Sequence, residues 1–285
     1  MKLNKILLIL TLTIACGLSP LHAAEAASPA KQVAVLHSSF FDWAALKVKI
    51  TPVGQSRFVA DAPTPTLNRL EFHITTLRPG FPSHPPHHHP QEEMILIKEG
   101  TVESSINGKK QRFGAGSLLF LASHDVHNVV NVGDKPATYF VINFHTAATA
   151  TVREQAAAEY APTTMLPSSV IDLSKLDAKP TKTGSRTNLV NTPTLTYKNL
   201  EVHVTSLNAG TDASKAHSHP WLQLFIIKEG SVEFTVDGVK HTSGPSSVAY
   251  VESNALMSLR NAGTTPCSYI VFSVVTDSTP AADKS

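Results

Sequence analysis

Residues 80–100 read GFPSHPPHHHPQEEMILIKEG, and this stretch decides how the rest of the chain is understood. His87, His89 and Glu93 stand in an H-x-H-x3-E rhythm, and the apolar run Met94 to Ile97 that follows is a strand signal. Alternate residues of an extended segment point the same way, so His87 and His89 converge on one face while His88 turns to the other. His127 arrives after a further strand-and-turn unit, with Asn131 just beyond it. Three imidazoles and one carboxylate suit Mn, Fe, Zn, Ni or Cu. A histidine-rich run alone could equally be a solvated loop or a flexible metal trap. Its distance from the strand that Glu93 opens favours a built site. Glu92 competes for the carboxylate role, but Glu93 is in step with Ile95 and Ile97, and only its counterpart in the second half of the chain is polar.

That second half is a copy of the first. Adding 130 to a residue number turns His87 and His89 into His217 and His219, Gly100 into Gly230 and Asn131 into Asn261. Between 70–144 and 200–274 the register runs without a gap, and 25 of 75 positions are identical. Upstream, Ser38-Ser-Phe-Phe-Asp42 mirrors Ser168-Ser-Val-Ile-Asp172, and Thr64-Pro-Thr-Leu67 mirrors Thr192-Pro-Thr-Leu195 after a two-residue length difference. Solenoid repeats are about 20–50 residues long, so a period this large means two whole domains.

Within each half, short apolar runs alternate with turn signals, the spacing of an all-β sandwich or barrel. Asn107-Gly108 and Asp237-Gly238 sit where two-residue hairpin turns demand positive φ. One helix is predicted, over Val152 to Tyr160, as part of a linker at 148–166. The expected division is then a leader at 1–24, a first barrel at 28–147, a second at 167–276, and a disordered tail from Asp277.

Each half resembles a cupin, and the whole resembles a bicupin. The first cupin motif, G-x5-H-x-H-x3/4-E-x6-G, is met by Gly80, His87, His89, Glu93 and Gly100 with one extra residue after the first Gly. The second, G-x5-P-x-G-x2-H-x3-N, is met by Gly116, His127 and Asn131, with Ala122 for the Pro and His124 for the second Gly. The resemblance spans about 35 to 275. It implies two tandem double-stranded β-helix (jelly-roll) barrels, with one divalent transition metal, Mn or Fe ahead of Zn, Ni or Cu, held by His87, His89, Glu93 and His127. It does not imply a reaction, because one fold hosts many activities.

The second half departs from the motif where the chemistry lies. Gln223 replaces Glu93 and Met257 replaces His127, while His217 and His219 remain, followed by Pro220 and Trp221. A neutral amide and a soft thioether make a poor pocket for a hard divalent ion, although His217, His219, Gln223 and Met257 could still trap Zn or Cu as a degenerate site.

The 285 residues, 42% hydrophobic, suffice for two cores, and a net charge of +2 with 16% charged residues offers nothing to a nucleic acid. Lys2 and Lys5, an apolar stretch from Ile6 to Cys16 and small residues at Leu21-His-Ala-Ala24 read as a secretory leader, which places the mature chain in the periplasm or outside the cell, free of membrane after cleavage. A lipoprotein reading of Cys16 is the weaker alternative. With Cys16 removed, Cys267 has no partner, and its match with Ala137 suggests a small buried side chain.

Three further residues are candidates for catalysis. Leu70, Phe72 and Ile74 alternate with Glu71, His73 and Thr75. If the polar face lines the barrel, Glu71 and His73 orient ligands or shuttle protons; because both recur as Glu201 and His203, a shared structural network is the simpler reading. His84 is either an acid/base at the pocket mouth or a loop histidine. Trp43, Trp221 and Phe81 either shape pocket mouths or pack in the core. The expected function is a metal-dependent enzyme, monomeric or homo-oligomeric, acting on a small organic molecule in the first barrel. Dioxygenase chemistry would go with Fe, and isomerase or lyase chemistry on a sugar acid or carboxylate with Mn, Zn or Ni. The alternative is a non-catalytic module binding a carbohydrate or metal.

Overall fold

The computed structural model describes residues 33–155 and 165–281. The leader and the part of the predicted helix beyond Gln155 lie outside them; the observed helix is Ala147–Gln155, beginning five residues earlier than expected. No described helix is long and apolar enough to cross a membrane.

Each half is a barrel of one seven-stranded and one three-stranded antiparallel sheet, the jelly-roll architecture expected. In the first, the large sheet runs in the order Ser169–Asp172, Ser117–Leu121, Glu93–Glu99, Ala137–His145, Leu67–Leu77, Gly54–Thr64, Val48–Thr51, and the small one places Thr101–Ile106 between Lys109–Gly114 and His127–Asn131. The second barrel repeats this order with one exchange. Its outer strand is Ser39–Phe41, from the start of the chain, paired with Val248–Val251, while Ser169–Asp172 pairs with Ser117–Leu121 of the first barrel. The outer strands Ser39–Phe41 and Ser169–Asp172, expected in the first and second barrels, are therefore exchanged between them, two arms passing in opposite directions. These are the segments whose likeness stood out upstream of the gapless repeat, and each caps an otherwise unpaired sheet edge in the other half.

The largest core lies between the barrels. It joins 14 buried apolar residues of the first half, among them Phe72, Ile74, Met94, Phe140 and Phe144, with 13 of the second, among them Val202, Leu224, Tyr250 and Phe272. Each barrel keeps a smaller core inside, around Ile95, Leu119 and Val141 in the first and Phe225, Ala249 and Val271 in the second. A central strand thus buries one face in its own lumen and the other against its neighbour's large sheet. This is why Met94 to Ile97 and Tyr139 to Ile142 read as unbroken apolar runs, not as alternation.

Asn107 and Gly108 have φ of 47° and 81°, and Asp237 and Gly238 48° and 81°, as the hairpin reading required. Cys267 is 1% exposed. The tail expectation is corrected at 277–281: Asp277 pairs with Lys198 Nζ at 2.8 Å, and Thr276 N donates to Thr279 Oγ1 at 2.8 Å, closing a turn. Gly100 has φ +87°, and a Cβ there would lie 2.5 Å from Ala137 Cα and 2.9 Å from Pro136 O. Left-handed backbone costs a residue with a Cβ about 1–2 kcal/mol and overpacking about 1–3 more, so Gly100→Ala should lower unfolding stability by about 2–5 kcal/mol in a urea titration.

Candidate metal centre

His87 and His127 face each other across an isolated antiparallel bridge, with His127 N donating to His87 O at 2.8 Å and His87 N to His127 O at 3.1 Å. His89 lies two residues on, so its ring returns to the same side, and His88 points outward to place Nδ1 3.3 Å from His124 Nδ1. Glu93 opens the next strand, opposite Asn143 and Leu121. The structure therefore brings together the four residues that the motif singled out. The imidazole nitrogens of His87, His89 and His127 lie within 4.8 Å of one another. The carboxylate oxygens of Glu93 stand 3.6 Å from His89 Nε2 and 3.7 Å from His127 Nε2.

Hydrogen bonding fixes what these rings offer. His89 Nδ1 donates to Gln91 O at 2.9 Å and His127 Nδ1 to Asp125 O at 2.8 Å, which turns each Nε2 inward; against burial, Glu93 holds His89 above the usual imidazole range, so that ring gives up a proton when it ligates. Both Nε2 atoms are buried without a partner. Distances of 3.6–3.7 Å are too long for hydrogen bonds, yet donors about 2.1 Å from a shared ion lie roughly 3–4 Å apart. Orphaned ring nitrogens, a buried carboxylate and this spacing fit a divalent metal. Burial pushes His127 below the usual imidazole range and, aided by His84, takes His87 to about 4, so both are neutral and able to ligate. Burial would raise Glu93, but His89 and then His127 pull it below the ordinary carboxylate value.

The cluster opens into a cavity of about 570 Å³ inside the first barrel. The polar face of Leu67–Leu77 does line it, with Glu71, His73 and Thr75 inward and Phe72 and Ile74 in the inter-barrel core. The network around Glu71 is not the shared one that the repeat suggested. Glu71 lies 3.4 Å from His145 Nε2 and 3.3 Å from Arg69, whereas Glu201 holds Arg186, which also meets His203 Nδ1 at 3.1 Å. His145, with Arg69, keeps Glu71 below the usual carboxylate range, and burial keeps His73 neutral. His84 stands edge-on to His87 at 4.0 Å on the cavity wall.

Two lining residues escaped sequence reading. Asn143 pairs with both Glu93 and Glu71 on the flanking strands, and its Oδ1 is buried and unpartnered. The Tyr139 hydroxyl, forced up by burial, stays protonated as a donor in the wall. None of the three aromatics is among the residues lining either cavity: Trp43 lies under Arg57 at 4.3 Å and packs against the inter-barrel core, Phe81 lies under Arg78 at 4.4 Å, and Trp221 stacks on the lining His219 at 4.7 Å. Asn131 is scaffold, its Nδ2 donating to Leu77 O and Lys135 O, each at 2.9 Å, and Asn261 does the same in the second half.

In the second barrel His217 faces Met257 across the equivalent bridge, and His217 Nε2 lies 3.0 Å from His219 Nε2. His217 Nδ1 donates to Lys215 O at 2.9 Å, which turns its Nε2 toward that of His219. Among the described residues, the only cluster of three or more metal-binding side chains is His87, His89 and His127.

A comparison with curated protein sequences returned no match. Among solved structures, the chain resembles AerE from Microcystis aeruginosa, at 15% identity and TM-score 0.61 over 83% of this chain and 98% of that one. It also resembles oxalate decarboxylase from Bacillus subtilis. A deletion mutant of that enzyme aligns at 14% identity and TM-score 0.60 over 86% and 79% of the two chains. The form studied for its Mn(II) centres aligns at 15% and 0.62 over 87% and 80%. Identities this low speak for the fold alone. The cupin domain matches twice, at residues 73–143 and 203–273, the two stretches that carry the lumen-facing strands. The chain is a bicupin, two cupin domains in tandem.

Proposed function

We propose that this bicupin is an exported metal-dependent enzyme that rearranges or cleaves a small hydroxy or keto acid in its first barrel, as an isomerase or lyase. The observation that carries this reading is the pair of carboxylates in one lumen: Glu93 among the imidazoles, and Glu71 two strands away, with Asn143 between them. Neighbouring strands are about 4.8 Å apart, so Glu71 stands about 10 Å from Glu93 along the sheet, room for a molecule of a few carbons. His87, His89, Glu93 and His127 would hold the ion, with Mn or Fe favoured. The ion would polarise a substrate oxygen and stabilise developing negative charge. No lysine or arginine is among the described residues lining the cavity, so a substrate carboxylate would have to meet the ion itself.

Glu71, ionised at neutral pH beside His145, takes the proton from carbon. The Tyr139 hydroxyl and Asn143 amide orient oxygens along the wall. The test is a panel of hydroxy acids, keto acids, sugar acids, diketones and hydroxyaromatics, with O₂ uptake recorded. We expect anaerobic turnover of an acid, and a fall in kcat of about 10²–10⁴ in Glu71→Gln with metal content unchanged. Turnover coupled to O₂ uptake would favour the dioxygenase reading instead. Metal binding with no turnover at all would favour a non-catalytic module.

A further inference from the structure

The second barrel also encloses a cavity, of about 510 Å³, and its lining differs from the first in a consistent direction. Ser56 and Arg186 hold the same register position, opposite Thr75 and Thr205, so a guanidinium stands where the first lumen has a hydroxyl. Two residues before the matching Gly54 and Gly184, Pro52 is replaced by Lys182, and both of these line their cavities. Glu93 is replaced by the neutral Gln223. The second cavity thus loses the carboxylate beside its histidines and gains two cationic side chains. Glu201 offsets one of them, since Arg186 donates to it through Nη2, while Nε donates to Asn188 Oδ1 at 2.8 Å.

Gln223 points to what is missing. Its Nε2 donates to Ser273 Oγ at 3.1 Å, while its Oε1 is buried without a partner and the residue is 8% exposed. Turning the amide over lets Ser273 donate to Oε1 and presents the N–H₂ group to the lumen. His203 is kept neutral, at about 4, by burial and then by Arg186, so it does not compete for an anion's counter-charge. One side of the wall is apolar, with Phe225, Met257, Leu259 and Val271, and Thr205, Ser214, His217, His219 and Tyr269 complete it.

We propose that the second barrel is a metal-free pocket for a small organic carboxylate with an apolar body. Arg186 and Lys182 take the carboxylate, the Gln223 amide donates to it, and the apolar wall receives the remainder. The first lumen must borrow positive charge from an ion, whereas the second builds it into the chain. The experiment is calorimetry on the full chain stripped with EDTA, so that no ion recruits the ligand to the first barrel, with phenylacetate and butyrate as probes and sulfate as the inorganic control. Saturable binding of one organic carboxylate per chain is expected, weakened about tenfold or more by Lys182→Met and by Arg186→Gln. Lys182 is exposed and its variant should fold whether or not loss of the Arg186 pair destabilises the barrel; Arg186→Lys should retain part of the affinity. No binding to the stripped wild type would overturn the proposal. So would unaltered affinity in Lys182→Met and Arg186→Gln, or sulfate binding as tightly as the organic acids. Copper(I) binding that is lost in Met257→Leu, without carboxylate binding, would overturn it in favour of a soft-metal site.

Discussion

Replacing Glu93 by Gln and His127 by Met together should leave a folded protein that no longer retains metal. These are the residues that the second barrel carries at the same positions, Gln223 and Met257, within the same strand order. Partners that merely orient a ligand change metal affinity by about 10–100-fold, so loss of a carboxylate and an imidazole from the shell itself should weaken binding by more than about 10⁴. Both exchanges nearly conserve volume, and swaps of that kind usually cost less than about 1.5 kcal/mol. The metal-free variant should accordingly unfold within a few degrees of metal-free wild type. Metal retained in the double variant, measured after dialysis, would mean that the ion sits elsewhere.

The neighbouring carboxylate should behave in the opposite way. Glu92 is 1% exposed and faces away from Glu93, into the seam between the halves. Its carboxylate accepts from Thr194 Oγ1 and Thr196 Oγ1, both at 2.6 Å, and from Leu195 N at 3.1 Å and Thr196 N at 3.3 Å. One side chain of the first barrel thus holds a turn of the second. Glu92→Ala leaves two backbone N–H groups and two hydroxyls short of an acceptor in a buried place, which should cost about 3–5 kcal/mol, visible as a large fall in the urea midpoint. Metal content per folded chain should not change. A loss of metal without a loss of stability would reverse the roles assigned to Glu92 and Glu93.

The difference between these two residues marks how far sequence reading reached. The choice of Glu93 was legible because strand alternation sorts side chains by face and because the repeat supplies Gln223 and Leu222 as an internal comparison. What Glu92 does was not legible, since its partners Thr194 and Thr196 lie a hundred residues away and only the packing of one large sheet on the other brings them close. Asn143 was hidden for a similar reason: cross-strand register, not local spacing, sets it between Glu71 and Glu93. Arg186 stands at Ser56 plus 130, but it lies upstream of the gapless part of the repeat, and only the paired strands set both opposite a lumen threonine. The crossing arms were half visible. Ser38–Asp42 and Ser168–Asp172 stood out as alike, but a three- or four-residue strand carries no sign of which edge it will join.

The central claim, that the first barrel alone holds the metal, is tested most directly by metal content per chain, measured by mass spectrometry on wild type, His87→Ala and His217→Ala after loading with Mn²⁺ or Fe²⁺ and dialysis. One equivalent is expected in wild type, less than about a tenth of that in His87→Ala, and one equivalent still in His217→Ala. Two equivalents in wild type, or a loss caused by His217→Ala, would contradict it.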